Sequence, residues 1–299
     1  MQNRVQRSWL IAPANDDARL AAAADSGADV VVLDLQDTVH ETKKHEARAR
    51  AKAAISEMRA RGSEVYARCD AELLYADFAA SVWRGLHGVV LPGLTTADQV
   101  READRLLGEF EAARGVVRPP PMDDILEADD PRGPEQALEI HLCLDTGRAN
   151  WDAEDLITAS DRVRSVSLGR ADLTLDLREE PSGDLHLLPD LNQRLVIVAN
   201  ECGVQPVGAW WRATSRGLAA TPEDTLRAAV DGRRAGFRGA LCMRADQARA
   251  LNEGFTPTAD ELAQAKSAAS DPAAAASREV ALDTLAWAKA CEARDNLKT

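Results

Sequence analysis

The stretch Arg164-Ser-Val-Ser-Leu-Gly-Arg-Ala-Asp172-Leu173 indicates how this chain folds. Its first half is short and apolar enough for a buried strand, a glycine turn follows, and Asp172 stands where the strand ends. A second segment upstream has the same design, because Ile140-His-Leu-Cys-Leu144 is followed by Asp145-Thr146-Gly147. Strands that end in this way can bring two aspartates to one point. Carboxylates placed so close together need a cation or a proton between them.

Short apolar runs of the same kind recur along the chain and alternate with longer amphipathic stretches. Continuous apolar runs are typical of parallel strands that are buried on both faces. The predicted strands are Trp9–Ala12, Val30–Leu35, Val65–Arg68, Gly88–Leu91, Ile140–Leu144, Val163–Leu168, Val204–Ala209 and Gly239–Met243. The predicted helices are Asp17–Ser26, Thr42–Arg61, Glu72–Arg84, Thr96–Ala113, Ala153–Ser160, Leu191–Cys202 and Pro222–Ala235.

Eight strands alternating with helices predict an α/β fold of the (β/α)8 TIM-barrel type. A doubly wound open sheet is the alternative. Such a sheet normally has a glycine-rich phosphate turn after its first strand, and Ala12-Pro13-Ala14-Asn15-Asp16 is not one. We expect residues 1–255 to form the barrel domain and residues 256–299 to form a C-terminal helical extension.

Two segments lie outside the regular alternation. Residues 118–134 are proline-rich and acidic, which predicts a flexible excursion or, alternatively, a lid. Glu279–Ala293 is a final amphipathic helix that comes after the eighth barrel unit. We expect that helix to pack on a neighbouring subunit, and therefore expect a homo-oligomer.

Composition limits the partners that the chain can have. The 299 residues carry a formal net charge of -13, which disfavours nucleic acid and anionic membranes as partners. There is no apolar run long enough to span a membrane and no signal-peptide core, so we expect a cytoplasmic protein that acts on small molecules. The five cysteines have no CxxC spacing, which predicts reduced thiols.

The carboxyl ends of barrel strands converge on one face, where active sites of this fold lie. The residues predicted there include acids and arginines but no histidine, which argues against a serine–histidine hydrolase and against a histidine-rich metal site. A hard cation such as Mg²⁺ or Mn²⁺ fits better, and it can stabilise an enolate when a carbon–carbon bond breaks beside a carbonyl. The candidates are Asp34, Gln36, Asp37, Arg68, Gly93, Asp145, Asp172 and Arg244.

Structural interpretations of the same residues remain open. Asp172 can be the N-cap of the next helix. Arg68 can clamp a substrate carboxylate, or it can pair with Asp37 or Asp70. Asp34 can be a structural charge inside the barrel mouth.

Taken together, these motifs resemble the citrate lyase beta-subunit group of the HpcH/HpaI aldolases, which includes malyl-CoA lyases. The similarity covers nearly the whole chain. It is carried by Arg7-Ser-Trp-Leu-Ile-Ala-Pro13, Asp34-Leu-Gln-Asp37, Leu144-Asp-Thr-Gly-Arg-Ala149, Ser167-Leu-Gly-Arg-Ala-Asp-Leu173, Gly236-Phe-Arg-Gly-Ala-Leu-Cys242 and Asn252-Glu-Gly-Phe-Thr-Pro257.

The resemblance implies a magnesium-dependent barrel that makes or breaks a carbon–carbon bond in 3-hydroxyacyl thioesters and works as a trimer or hexamer. Its metal carboxylates match Asp145 and Asp172, and its substrate-binding arginine matches Arg68. An aspartate that the family contributes from a neighbouring subunit matches Asp283. We therefore take Arg68, Asp37 and Asp283 as catalytic candidates, and Arg68, Gln36, Arg244 and Gly93 as substrate-binding candidates.

The chain departs from the family pattern at several strand ends. Glutamate is usual at the positions of Gln36 and Asp145, and the usual Pro-Lys and His-Pro pairs are replaced at Gly93 and Arg244. The first helix offers a lone Arg19 for coenzyme A phosphates, so the thioester is disfavoured, and Arg244 can instead recognise a free carboxylate.

Three hypotheses follow from these observations. The first is a metal-dependent carbon–carbon lyase or aldolase that acts on a carboxylated 3-hydroxy acid or its thioester. The second is a metal-dependent thioester hydrolase. The third is a non-catalytic or regulatory paralogue that binds an acyl ligand.

Overall fold

Eight parallel strands close into a barrel in a computed structural model that describes residues 4–118, 137–169, 189–208, 221–270 and 275–296. Each strand pairs with the next one along the chain, and β8 pairs with β1. The predicted (β/α)8 barrel is therefore confirmed, and the open sheet is excluded. The strands are β1 Ser8–Pro13, β2 Val30–Asp34, β3 Glu64–Arg68, β4 Gly88–Leu91, β5 Glu139–Leu144, β6 Val163–Leu168, β7 Gln205–Gly208 and β8 Gly239–Cys242.

Helices surround the barrel and follow the strands in turn. They are α1 Asp17–Ala24, α2 Lys44–Ala60, α3 Leu74–Ser81, α4 Ala97–Arg114, α5 Gly147–Trp151, α6 Ala153–Ile157, α7 Pro189–Glu201, α8 Pro222–Arg234, α9 Ala245–Gly254, α10 Ala259–Ser270 and α11 Ala275–Asn296. The start signals at Thr96 and Thr221 form capping boxes, as the sequence indicates. Helices α9 and α10 were not predicted, and only α10 has an alanine-rich sequence with a weak apolar stripe.

The barrel interior is filled by layers of side chains that differ in size. Trp9, Tyr66 and His141 share one layer, with the Trp9 ring centroid 4.8 Å from each of the other two rings. Gly88 faces the Tyr66 ring, and a side chain there would collide with it. Closer to the carboxyl ends lies an apolar layer that contains Ile11, Val32, Val90, Cys143 and Leu241. The interior is thus a packed core, and it includes the buried polar side chains of His141, Ser165 and Ser167.

Helix α11 covers the amino-terminal end of the barrel of its own chain. Trp287 and Cys291 pack against Val5, and the Trp287 indole donates to the Phe255 carbonyl at 2.9 Å. Arg294, fully buried, donates to the Asp29 carbonyl at 2.9 Å. We expected the extension to pack on a neighbouring subunit, yet its buried face lies on its own barrel. A neighbouring subunit would meet the opposite face, and that contact stays a prediction, as does the domain boundary at residue 255.

Two predictions from composition can be compared with the structure. All five cysteines are free, which agrees with the expected reduced thiols. Within the part of the chain that the structure describes, each helix is too short or too polar to cross a membrane.

Candidate active site

Arg68 lies at the carboxyl end of β3 and is the central cation of the barrel mouth. Its side chain is 3% exposed, and its Nη2 donates to Asp37 at 2.6 Å. Asp34 lies 3.7 Å from Nη1. Burial lowers the pKa of Arg68, but Asp34 and Asp37 outweigh burial and leave that pKa above its ordinary value. The guanidinium is therefore permanently charged and held in one orientation.

The loop after β2 is shaped by Asp34, which is fully buried. Its carboxylate accepts hydrogen bonds from the backbone N–H groups of Gln36 at 2.8 Å and Thr38 at 2.9 Å. Asp34 therefore acts as a structural charge inside the barrel mouth, which is the interpretation that the sequence had left open. It fixes a turn that presents Gln36 and Asp37 at the mouth. Among the described residues, the Gln36 side-chain oxygen has no hydrogen-bond donor.

Asp145 follows β5 and places a buried carboxylate at the same end of the barrel. It is 5% exposed, and its Oδ2 accepts the Gly93 N–H at 3.2 Å. It is also among the charges that raise the pKa of Arg68. The sequence placed both residues on this face from strand order alone.

Gly169 makes room for this carboxylate. A Cβ built on Gly169 would overlap the Asp145 carboxyl group, with its Oδ1 the closest atom. The backbone N–H of Gly169 donates to the Leu144 carbonyl at 3.1 Å, which holds the two strand ends together. From the sequence alone, this glycine was expected only as a turn residue. Gly169 leaves space for the Asp145 carboxylate. The sequence signal for this role was a glycine directly after β6, the strand next to β5, which Asp145 follows.

Asp145 fits a hard divalent cation by donor chemistry. Carboxylate oxygens are the ligands that Mg²⁺ and Mn²⁺ prefer, and Mg²⁺ is commonly held by one or two of them, with water and substrate supplying the rest. Within the described residues, no three histidine, cysteine, aspartate or glutamate side chains are grouped so as to hold a metal. Asp172, the second predicted metal ligand, lies outside the described residues. The described part of the site thus supplies one carboxylate to such an ion.

Three predicted site residues have other partners in this structure. Gly93 is exposed and supports Asp145 through its backbone N–H. Arg244 is 41% exposed and its Nε donates to Asp246 at 3.0 Å. Asp283 pairs with Arg238, directly before β8, at the opposite end of the barrel from Arg68. Within one chain Asp283 therefore does not reach the mouth.

The alternative partners proposed for Arg68 are now distinguished. Asp70 accepts a hydrogen bond from the Lys44 ammonium group at 2.9 Å. Asp37 is the partner that Arg68 takes, and its side chain is 44% exposed. A ligand that enters the mouth therefore contacts the solvent-accessible Asp37 carboxylate before it reaches the buried Arg68 guanidinium.

A small chamber lies inside the barrel next to Arg68. Its walls are apolar, and Arg68 and Gly169 form its boundary toward the mouth. We call it the chamber; besides those two residues it is lined by Ile11, Val32, Val90, Cys143, Leu168 and Leu241. The residues that line it have no sequence signal beyond that of ordinary core residues.

His141 is a buried interior residue below Cys143 on the same strand. Its ring nitrogens lie 2.8 Å from the Ser165 hydroxyl and 2.9 Å from the Ser167 hydroxyl. Burial and the nearby Arg68 lower the pKa of His141 to about 3, so its imidazole is neutral. From the sequence we predicted a surface or packing role for His141. The structure shows a packing role, with the imidazole ring hydrogen-bonded to both serine hydroxyls.

Comparison with known proteins relates this geometry to one family. The family model described as HpcH/HpaI aldolase/citrate lyase matches residues 7–245. A citrate lyase subunit beta-like protein of Deinococcus radiodurans is 28% identical over 91% of this chain and 87% of its own length. The citrate lyase subunit beta of Escherichia coli is 27% identical over 93% of this chain and 85% of its own.

A solved structure of similar fold is that of the protein CitE from Mycobacterium tuberculosis in complex with magnesium, acetoacetate and coenzyme A. It aligns with 97% of this chain and 100% of its own at a TM-score of 0.67 and 19% identity. At that identity the likeness supports the fold alone.

Proposed function

The chain belongs to the HpcH/HpaI aldolase/citrate lyase family, and we propose that it is a divalent-metal-dependent carbon–carbon lyase. Its substrate in this proposal is a carboxylated 3-hydroxy acid or the acyl thioester of such an acid. Relatives in the family include citrate lyase beta subunits. The finer assignment rests on the residues at the barrel mouth.

One observation carries the proposal: the Arg68 guanidinium and the Asp145 carboxyl group are both buried at the same end of the barrel. Burying a charge costs free energy unless a partner or a ligand compensates for it. A positive group suited to a substrate carboxylate thus lies near a negative group suited to a metal ion. That pair matches a reaction in which an anionic substrate is held while negative charge develops on it.

The chemistry that this pair can support is a retro-aldol cleavage. A base takes the proton of the 3-hydroxyl group, and the bond between C2 and C3 breaks. C3 becomes the carbonyl carbon of a keto acid, and the electron pair passes to C2 of the acyl fragment as an enolate, which is then protonated. Arg68 holds the carboxylate of the keto-acid fragment through a paired hydrogen-bonding geometry.

The metal ion in this proposal is Mg²⁺ or Mn²⁺, held by Asp145 and Asp172. When bound, it supplies positive charge against the enolate. Gly93 acts indirectly, because its N–H orients the Asp145 carboxylate. Gln36 lies on the turn that Asp34 fixes and offers an amide to the substrate.

The base is a carboxylate in this proposal, and two candidates come from the sequence. Asp37 lies beside Arg68 in the same chain. Asp283 would have to come from a neighbouring subunit of a trimer or hexamer, because in its own chain it pairs with Arg238 at the other end of the barrel.

The free acid is favoured over the coenzyme A thioester by the environment of α1. Arg19 is the basic residue of that helix, and its guanidinium donates to the Met243 carbonyl at 2.7 Å. Asp16 caps the helix and Asp17 follows it, which adds negative charge where a polyanionic coenzyme would approach. Arg244 could bind the coenzyme or a free carboxylate only after its ion pair with Asp246 has broken.

The proposal is tested by thermal shift and by product analysis. The purified chain is heated with Mg²⁺ or Mn²⁺, with and without free keto acids and coenzyme A thioesters. A ligand that binds the native state raises the melting temperature by mass action. We expect a keto acid together with Mg²⁺ to raise it, and Asp145→Asn to abolish the effect of the metal.

Product analysis by NMR then separates the remaining hypotheses. A lyase releases a keto or aldehyde fragment and an acyl fragment, whereas a thioester hydrolase releases a free thiol and the intact hydroxy acid. Ligand binding without turnover of any hydroxy acid or thioester would leave the non-catalytic paralogue. Failure of Mg²⁺ to bind, or turnover that survives Asp145→Asn, would overturn the proposal.

A further inference from the structure

A cavity with a charged lining lies at the amino-terminal end of the barrel, opposite the end that holds Arg68. It is bounded by the segment before β1, by the first residues of β5, β6 and β7, by the residue before β8, and by helix α11. We call it the floor cavity, and its charged lining residues are Arg4, Glu139, Arg164, Arg238 and Asp283. Of these five residues, only Asp283 has a place in the proposed function.

Positive charge exceeds negative charge around the floor cavity. Three guanidinium groups and two carboxylates lie in its described lining, and Arg118, which pairs with Glu139, adds a fourth guanidinium. The whole chain has the opposite balance, with a formal net charge of -13. Like charges that are withdrawn from water are costly unless an opposite charge compensates for them. The local charge balance therefore favours an anion in this cavity.

The carboxylates in the cavity wall have donors of their own. Glu139 accepts a hydrogen bond from the Tyr66 hydroxyl at 2.5 Å and pairs with both Arg4 and Arg118. Asp283 pairs with Arg238. Each guanidinium carries several N–H donors and no acceptor, so the described lining offers more donors than its two carboxylates can accept. Donors in excess are what a carboxylate or another oxyanion requires.

The pKa of Arg118 also indicates that positive charge is crowded here. Burial lowers this pKa to about 10, and the nearby charges of Arg4 and Arg164 lower it further, while Tyr66 and Glu64 act in the opposite direction. An anion in the floor cavity would offset the repulsion among these guanidiniums.

The size of the floor cavity limits what it can hold. Its volume is about 30 Å³, which is room for about two water-sized groups. The two oxygens of a carboxylate group match that space, whereas the four oxygens of a phosphate exceed it. Two water molecules would also fit, but they bring no negative charge. The Asp283 side chain is 38% exposed, so solvent reaches the cavity on that side and a ligand can enter there.

We propose that the floor cavity binds the carboxylate group of a small organic anion through the guanidiniums of Arg164 and Arg238. Arg238 is held in place by Asp283 and by the Trp287 ring, whose centroid lies 4.7 Å from the guanidinium carbon. Arg164 belongs to β6, so a bound anion joins the barrel to the residues that α11 contacts. Binding therefore stabilises the attachment of α11 to its barrel. The site is at the far end from Arg68 and does not depend on the proposed function.

The test compares sodium acetate, sodium phosphate and sodium chloride at equal ionic strength on the full chain without added metal. The melting temperature is measured at increasing concentrations, and the dissociation constant of acetate is obtained by ¹³C NMR titration. We expect acetate to raise the melting temperature in a saturable way, and more than phosphate or chloride does. Equal responses to acetate and chloride would show only general screening and would overturn the site.

Arg164→Gln removes one of the two guanidiniums that hold the anion. The dissociation constant of acetate should rise about tenfold or more, as is usual when a charged hydrogen-bond donor is lost. Arg101→Gln is the matched control, because it removes the same charge from an arginine whose side chain is 60% exposed and pairs with Asp98 on α4. That constant should then change by no more than about twofold. Equal affinity in Arg164→Gln and in the unaltered chain would overturn the proposal.

Gln205→Glu covers the case in which Arg164→Gln does not fold. Gln205 lines the floor cavity, and glutamate of nearly the same size would place a carboxylate in its wall. Without acetate this variant should melt no lower than the unaltered chain, and it should no longer respond to acetate. Gln264→Glu, at an exposed position on α10, should keep the acetate response. An undiminished response in Gln205→Glu would contradict an anion site at the floor. Arg68 is unchanged in every variant, so the mouth does not contribute to these differences.

Discussion

The buried guanidinium of Arg68 is hydrogen-bonded to the carboxylate of Asp37, which solvent can reach. The guanidinium is 3% exposed, and its Nη2 donates to an Asp37 carboxylate that is 44% exposed, at a distance of 2.6 Å. A substrate carboxylate that binds Arg68 must therefore compete with Asp37 or join it. Asp37 keeps Arg68 in place, and under the proposed function it would also limit the affinity for that carboxylate.

We expect Asp37→Asn to change affinity and turnover in opposite directions. Without the competing negative charge, the dissociation constant for a free keto acid should fall by about 3- to 10-fold. If Asp37 is also the base, kcat should fall about 100-fold or more. Separate measurement of kcat and KM resolves the two effects.

Asp25→Asn is the matched control for this substitution. Asp25 accepts a hydrogen bond from Arg61 at 3.1 Å, as Asp37 does from Arg68, but both partners are exposed and lie outside the barrel mouth. Neither constant should change by more than about twofold, as is usual for exposed ion pairs. Equal effects of the two substitutions would show that Asp37 has no special influence on Arg68.

Gly169→Ala should remove the response to metal ions. The added methyl group would occupy the space of the Asp145 carboxyl group, so that carboxylate must move. We expect the increase in melting temperature caused by Mg²⁺ to be lost, together with activity. Gly108→Ala is the control, because its Cβ would meet only the end of the flexible Arg162 side chain, at 3.4 Å. A normal magnesium response in Gly169→Ala would contradict the assigned place of Asp145.

Two buried histidines should make the protein less stable below neutral pH. Burial lowers the pKa of His87 and of His141 to about 3, below the ordinary value of 6.5. As pH falls below that ordinary value, the unfolded chain takes up protons that the folded chain does not. Stability that is fully present above about pH 6.5 is therefore lost as pH falls toward 3, at about 1.4 kcal/mol per pH unit for each histidine.

Urea unfolding between about pH 7 and about pH 5 measures this loss. His141→Gln should reduce the pH dependence by about half relative to its own stability at pH 7, whereas His40→Gln, at an exposed histidine, should not. Glu64 does not interfere in this range. Burial raises its pKa, but Arg4 and Arg294 outweigh burial and lower it to about 2, so its contribution is lost only below about pH 4.5.

Arg294→Met should destabilise the folded chain by about 3 kcal/mol, because it leaves Asp29 and Glu64 with less compensating charge in a buried site. Lys289→Met, on the same helix at an exposed position, should change the free energy of unfolding by less than about 0.5 kcal/mol. Because Arg294 contacts its own barrel, the loss should not depend on protein concentration. A loss that disappears on dilution would place these contacts between subunits instead.

Mixing two inactive variants tests whether Asp283 serves a neighbouring subunit. Asp145→Asn and Asp283→Asn should each be inactive alone. In randomly mixed assemblies, roughly a quarter of the interfaces would combine an intact Asp145 with an intact Asp283, so about that fraction of activity should return. No recovery, or an active Asp283→Asn, would restrict Asp283 to its structural pair with Arg238.

The strands of the barrel and the residues at their ends could be predicted because they depend on local pattern. Apolar runs define buried strands, and the rule that carboxyl ends converge places Arg68 beside Asp145. The alternation of strands and helices along the chain does not depend on which pairs of side chains are in contact. For that reason it predicted the strands well and the alanine-rich helix α10 poorly.

The rest of the site depends on contacts between residues that are far apart in sequence. The partner of Arg68 was open between Asp37 and Asp70, and only the position of Lys44 beside Asp70 resolves it. The pair of Arg244 with Asp246 is an exception, because these residues are only two apart in sequence and strand order does not encode the direction of the Arg244 side chain. The covering of the barrel floor by α11 depends on Arg294 meeting Asp29, which is 265 residues away.

Because Asp145 and Gly169 are in contact, the residue at one of these positions limits which residues the other position can accept. As long as residue 145 keeps its carboxylate in this place, any side chain at residue 169 would expel it. A copy of such a gene that no longer needs the carboxylate would be released from this constraint and could accumulate alanine or serine at 169 at no further cost. A side chain at residue 169 is therefore a sign, visible in the sequence alone, that the carboxylate of residue 145 no longer occupies this place.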